Sequence, residues 1–234
     1  MSANLNLSVI DDTWLVIPLF NESTVIFDVI TEAKTVFPNI ICIDDGSHDT
    51  SSDEAKRAGA TVVKHPINLG QGAALQTGFS WVLRYTNAKY AITFDADGQH
   101  RVSDAQMMLA KAASENLEFV LGSRFLEGKH QAGFLKKIVL TTVAKISNLR
   151  TGLQLTDAHN GLRVLSRNTL EKINITQPRM AHASQIIEQL AQIGGSWAEV
   201  PVSIDYTEYS RAKGQSLLNG VNILTELLFA TNKK

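Results

Sequence analysis

The sequence predicts an α/β protein with a mostly parallel central sheet and helices on both faces. Short β-branched runs alternate with segments of helical spacing through the first half of the chain. A polar cluster follows each of the first four runs, the place where ligands bind in such sheets. The composition, 44% hydrophobic and 19% charged over 234 residues, is that of a chain that buries a core.

Trp14 to Pro18 reads as the first strand and Asn39 to Ile43 as the second. Thr61 to Val63 and Tyr90 to Phe94 are the third and fourth. Between them, Thr24 to Phe37 places Val25, Val29, Ala33 and Val36 on one helical face. Thr50 to Ala58 is a short polar helix, and Gly72 to Arg84 a longer one. The second half is less regular. Ser103 to Ser114 and Ala183 to Ile193 read as helices, with Glu118 to Gly122 and Ala198 to Tyr206 as strands. Gly133 to Thr151 has helical character, and a helix of about Ser216 to Ala230 closes the chain. No linker rich in Pro, Gly or Ser divides the sequence, so residues 1–234 are expected to form a single domain. Within it, about 12–100 form a nucleotide-binding half, 101–216 an acceptor-side half, and 217–230 an amphipathic C-terminal helix.

The formal net charge of -1 gives no overall field that would select nucleic acid. Cys42, the one cysteine, sits in an apolar run and reads as a buried hydrophobe, consistent with a reducing compartment. The sequence from Met1 to Asp11 lacks the basic and apolar regions of a signal peptide. No stretch approaches the roughly 18 consecutive apolar residues of a spanning helix. A soluble or peripheral cytoplasmic protein is expected.

Asp95 and Asp97 flank Ala96 directly after the fourth strand. Two carboxylates so spaced converge on one hard cation when the chain turns. Mg²⁺ and Mn²⁺ prefer oxygen ligands and leave positions for substrate phosphates. Taken alone, the pattern is also that of a solvated turn. Asp44-Asp45-Gly46-Ser47 follows the second strand, where carboxylates can accept hydrogen bonds from a ribose or a base. Pro18-Leu19-Phe20-Asn21-Glu22 leaves the first strand, and Asn21 there also suits a helix cap. Asn68 to Ala74 is glycine-rich and leads into a helix, whose N-terminus favours negative charge. It lacks the Lys-Ser/Thr ending of a P-loop, which argues against ATPase chemistry.

In order, these motifs resemble the family 2 glycosyltransferases of GT-A fold, most closely the dolichyl- and polyprenyl-phosphate sugar synthase branch. The resemblance runs from about Trp14 to Ser216. It joins the clusters above to Gly122-Ser123-Arg124, Asp157-x-x-Asn160-Gly161-x-Arg163, Glu199-Val200-Pro201-Val202 and Arg211-x-Lys213-Gly214-x-Ser216. It implies a Rossmann-like sheet and inverting transfer from a nucleotide-sugar donor to a lipid-phosphate or glycan acceptor. By resemblance, Pro18, Asn21, Glu22, Asp44, Asp45, Gly72, Ala73 and Asp95 belong to the nucleotide pocket. Asp95, Asp97 and Gln99 would belong to the Mg²⁺ or Mn²⁺ site. Arg124, Arg163 and Arg211 would pair with donor or acceptor phosphate, as the guanidinium fork suits. Lys213 and Ser216 would join Arg211 in a loop closing over the donor.

A sugar hydroxyl acceptor needs a general base, whereas a phosphate is already ionised. Asp157 is the carboxylate candidate for base or acceptor positioning. Glu188 is a second, and His182 lies near the start of its helix. The apolar face of residues 217–230 suits either a membrane surface or partner or its own domain. Two other readings compete. A sugar-nucleotide pyrophosphorylase would carry a basic glycine-rich loop after the first strand, where acidic Asn21-Glu22 stands. A non-catalytic assembly partner would have no need of the acidic and arginine motifs.

Overall fold

The computed structural model describes residues 7–126, 142, 144, 147–177 and 181–205. The expected helix at 216–230 and the residues Arg211, Lys213 and Ser216 lie outside these. So does most of the expected helix at 133–151, of which 147–151 is helical.

The chain opens with α1 (Leu7–Asp11), β1 (Thr13–Leu19), α2 (Ile26–Ala33) and β2 (Ile40–Asp44). Then come α3 (Ser51–Arg57), β3 (Thr61–Lys64), α4 (Gln71–Tyr85) and β4 (Tyr90–Thr93). The second half adds α5 (Val102–Glu115), β5 (Phe119–Ser123), β6 (Arg163–Ser166) and α6 (Arg167–Lys172). It continues with α7 (His182–Ile193) and β7 (Trp197–Pro201). The seven strands form one sheet in the order β3-β2-β1-β4-β6-β5-β7, so both halves share it. All neighbouring pairs are parallel except those of β6, which runs antiparallel to β4 and β5.

Strand alternation divides the core into two layers. Leu15, Ile17 and Leu19 of β1 pack with Ile26 and Ile30 of α2 and Met108 and Leu109 of α5. Val16, with Ile41 and Ile43 of β2, faces Leu75 and Phe79 of α4, Leu170 of α6, and Ile186 and Leu190 of α7. Helices therefore cover both faces. Phe37, Phe79, Phe94 and Phe119 are fully buried, each contributing about 1.5–3 kcal/mol relative to exposure. Gly78 lets α4 lie directly on the sheet, since a Cβ there would fall 2.3 Å from Val16 Cγ1.

β6 and α6 are the elements that patterning does not reveal, along with the short α1. β6 has four residues, begins with a charge and has no two-residue alternation. It matters because it sits beside β4 and carries Arg163 at the strand's start, opposite Thr93. The β1–β4 ladder ends at Val16↔Thr93, while β1 continues beside β2 to Leu19. The sheet thus opens between Pro18 and Asp95, and the polar clusters gather around that opening.

Candidate active site

One wall of the opening is built by lacing the β1 and β2 loops together. Asn21 adopts φ 53°, a left-handed conformation that Asn tolerates well. Its backbone N–H donates to Ser47 Oγ at 3.0 Å, and its Oδ1 accepts from His48 N at 2.9 Å. It joins two loops and does not cap α2, whose N-cap is Val25. Glu22 N donates to Ser51 Oγ at 2.7 Å.

The β2 carboxylates are turned inward. Asp44 is 0% and Asp45 3% exposed. Asp44 Oδ1 accepts from Ser47 N at 2.8 Å, and Lys64 Nζ lies 3.4 Å from Oδ2. Asp45 accepts from Leu69 N at 2.9 Å, Gly70 N at 2.7 Å and His65 Nδ1 at 2.7 Å. A carboxylate offers about four acceptor positions, so Asp45 is mostly engaged by the loop that leads into α4. The two side chains shape the wall from behind, whereas the sequence suggests that they face a ribose. Gly72 and Ala73 lie in the first turn of α4. Gly72 packs against α7: a Cβ there would lie 2.1 Å from Gln177 O and 2.7 Å from His182 Cβ. The N-termini of α4 and α7 therefore meet, and both helices point their positive ends into this region.

Asp95 and Asp97 stand at the floor. Asp95 Oδ2 accepts from His100 Nε2 at 2.9 Å, and Gln71 Nε2 lies 3.3 Å from Oδ1. Burial pushes the Asp95 carboxyl up, but the His100 ring, Arg163 and His182 outweigh it and hold the pKa below the usual value. Asp97 behaves oppositely. Burial first, then the neighbouring Asp95 charge, push its pKa up to about 6, and Glu22 adds to this. Asp97 Oδ1 accepts from Gln99 N at 3.1 Å. Gln99 itself is buried, and its carbonyl accepts from Asp205 N. Among the described residues, no three His, Cys, Asp or Glu side chains form a cation cluster. The donor set is two carboxylates drawn together against their mutual repulsion. It fits a hard cation that takes its remaining oxygens from substrate and water.

The absence of a side chain at 161 makes room for this arrangement. A Cβ on Gly161 would lie 2.5 Å from Asp95 Oδ2. Gly161→Ala must displace the Asp95 carboxylate, and about a 100-fold loss in kcat/KM is expected. Kinetics, with the unfolding midpoint as control, check this; unchanged kinetics would mean Asp95 is not held where the reaction needs it.

Two arginines, Arg124 and Arg163, belong to the same region, and Arg163 and Asp95 act on each other electrostatically. Arg124 donates to Asp157 from Nε at 2.6 Å and from Nη2 at 2.8 Å. The Asp157 side chain is buried, and the charge of Arg124 overcomes burial to hold its carboxyl below the usual range. Arg163 is 2% exposed. Among the described residues its guanidinium makes no hydrogen bond or ion pair, although Asp95 and Asp157 act on it at longer range. Burial pushes its pKa down to about 10. His159 is pushed down to about 4, by burial and then by Arg163; its Nε2 lies 3.2 Å from Ser184 Oγ. Glu188 is half exposed, 3.9 Å from Arg150.

Of the two roles open to Asp157 in the sequence, base or acceptor positioning, this geometry suits the second. A carboxylate clamped by a guanidinium is a weak base. The sequence motifs include Glu199 and Asn160 without assigning either a role. Glu199 organises the 156–157 turn, and Asn160 is buried with Oδ1 accepting from Leu162 N. Only their place in ordered motifs hints at this, because the partners are remote in sequence.

The model of Glycosyl transferase family 2 matches residues 14–173. A UDP-N-acetylglucosamine–dolichyl-phosphate N-acetylglucosaminyltransferase of Methanococcus voltae is 30% identical over 92% of this chain and 94% of its own length. A polyprenol monophosphomannose synthase of Mycolicibacterium smegmatis is 28% identical, with 90% and 82% covered. Among solved structures, glucosyl-3-phosphoglycerate synthase from Mycobacterium tuberculosis, in complex with Mn²⁺, UDP and phosphoglyceric acid, superposes with a TM-score of 0.71. That match is 16% identical and covers 100% of this chain and 85% of the other.

Proposed function

The chain belongs to the family 2 glycosyltransferases, and from that premise we propose that it transfers a sugar, with inversion, from a nucleoside diphosphate sugar to a polyprenyl phosphate. The observation that carries this reading is Arg163, a buried cation without a hydrogen-bonding partner among the described residues, set beside Asp95. A buried charge left so is unfavourable unless a ligand completes it, and a phosphate matches the guanidinium fork. The meeting N-termini of α4 and α7 favour the same sign of charge. The state of Asp157 agrees: a phosphate oxygen is already ionised and needs no strong base, and this carboxylate is occupied in holding Arg124.

In this reading Pro18, Asn21 and Glu22 line the nucleoside side, with Asp44 and Asp45 fixing the loops behind it. Asp95 and Asp97 hold Mg²⁺ or Mn²⁺ with the donor diphosphate, and Gln99 fixes Asp97 through its backbone N–H. The cation supplies Lewis-acid stabilisation of the departing diphosphate. Arg163 and Arg124 hold the acceptor phosphate opposite the leaving group, and Arg211, Lys213 and Ser216 are proposed to close over the donor. Among the described residues, no helix is long and apolar enough to cross a membrane. A lipid-linked acceptor places the reaction at a membrane surface, and we assign the chain to its cytoplasmic face.

The test incubates the chain with UDP- and GDP-sugars, Mn²⁺ and a short polyprenyl phosphate. A glycosyl phospholipid is expected, together with melting raised by nucleoside diphosphate plus Mn²⁺. At a hundred times its dissociation constant a ligand adds about 2.7 kcal/mol. Transfer to sugar hydroxyls but not to lipid phosphate would overturn the acceptor assignment. Pyrophosphate release from a nucleoside triphosphate and a sugar phosphate would overturn the reaction class.

A further inference from the structure

We infer that Glu199 is a positioning residue for acceptor binding: its carboxylate fixes the 156–157 turn and, through Asp157, aims the Arg124 guanidinium. Glu199 lies in β7, more than forty residues from its partners. Both its oxygens lie 3.0 Å from Thr156 N, Oε2 accepts from Thr156 Oγ1 at 2.9 Å, and Oε1 accepts from Asp157 N at 3.2 Å. The donors are two consecutive backbone amides and a hydroxyl, which a carboxylate can accept together and a neutral amide cannot. The Thr156 hydroxyl also meets Ser123 Oγ in the residue before Arg124.

From this anchor the chain of contacts continues to the cation. Asp157 Oδ1 and Oδ2 take the Nη2 and Nε arms of Arg124, and Arg124 N also donates to Oδ2 at 3.2 Å. Asp157 acts in turn on Arg163. β7 pairs with β5 in parallel, placing Glu199 opposite Leu121, just before Ser123 and Arg124. The Glu199 carboxylate thus ties β7 to the 156–157 turn, the Thr156 hydroxyl extends the link to Ser123, and none of these side-chain bonds serves the sheet itself. Its geometry sets the aim of a side chain that, on the reading above, touches acceptor phosphate.

The experiment uses the full chain and Glu199→Gln. The amide variant places an N–H₂ group against donors, so hydrogen exchange at the Thr156 and Asp157 amides should accelerate while the melting midpoint stays near wild type. The KM for polyprenyl phosphate should rise about tenfold or more, with the donor KM within about twofold. In an Arg124→Met background, Glu199→Gln should cause little further loss, because the two act as one unit. A general structural defect would raise both KM values and add its loss to that of Arg124→Met, and that result, or unchanged acceptor kinetics, overturns the inference. Should Glu199→Gln not fold, Thr156→Val removes the hydroxyl arm and is held to the same KM split. The inference rests on the acceptor reading, yet the two fail separately. No lipid-phosphate transfer by the wild type sinks the reading, whereas amide exchange at 156 and 157 unaltered in Glu199→Gln sinks the role of Glu199.

Discussion

In Asp97→Asn, sugar transfer is expected to fall about 10³-fold, about 4 kcal/mol in kcat/KM, while the protein without metal melts no lower than wild type. The two effects share one cause. Asp97 is confined beside Asp95 and near Glu22, and this environment pushes its carboxyl up to about 6. Asparagine has nearly the same shape and carries no charge, so the repulsion disappears and the fold loses nothing. The same change removes one of two carboxylates available to a divalent ion. The Mn²⁺-dependent rise in melting temperature with UDP should vanish along with transfer, giving a readout independent of turnover. Sites shaped for function often carry such local cost. An Asp97→Asn protein that keeps both activity and Mn²⁺-dependent stabilisation would remove these aspartates from the reaction.

The aspartate pair was legible because its signal is local: an apolar strand, then two carboxylates bracketing a small residue. The four leading β-strands were legible for the same reason, since β-branched runs and polar exits recur in order. What the sequence hides is direction and pairing. Asp44 and Asp45 look like ligand-facing carboxylates until Ser47 and Lys64 are folded against the first and His65, Leu69 and Gly70 against the second. Asp157 suits a base or a positioning group equally until Arg124, 33 residues earlier, occupies it. Gly161 is a motif glycine without a role until Asp95 is placed against its Cα. β6 leaves no mark in the sequence because four residues pairing antiparallel on both sides draw their stability from neighbours brought by long-range topology. Without that strand Arg163 is only a motif arginine, and its burial near Asp95 has no sequence signature.

Arg163→Met is the other large effect, and it separates function from stability in the opposite direction to an ordinary core change. Truncating a buried residue usually weakens the fold. Arg163, however, is buried with burial already pushing its pKa down to about 10, and among the described residues no hydrogen bond repays that desolvation. Methionine fills much of the same volume without the charge. Exchanges of buried charge for apolar volume are often neutral or stabilising, so the urea midpoint of the free protein is expected to hold or rise. Transfer should fall about 100-fold in kcat/KM, about 2.7 kcal/mol, the scale of one charge-assisted hydrogen-bonding group lost against a phosphate. Arg163→Lys keeps the charge but not the planar fork, and should recover only part of the rate. Because the loss is assigned to acceptor phosphate, it should appear chiefly in the acceptor KM, with Mn²⁺-dependent UDP stabilisation retained. If Arg163→Met instead lowers the unfolding free energy by several kcal/mol and leaves the acceptor KM unchanged, Arg163 is a structural cation satisfied by Asp95 and Asp157 at longer range, and the phosphate must bind elsewhere.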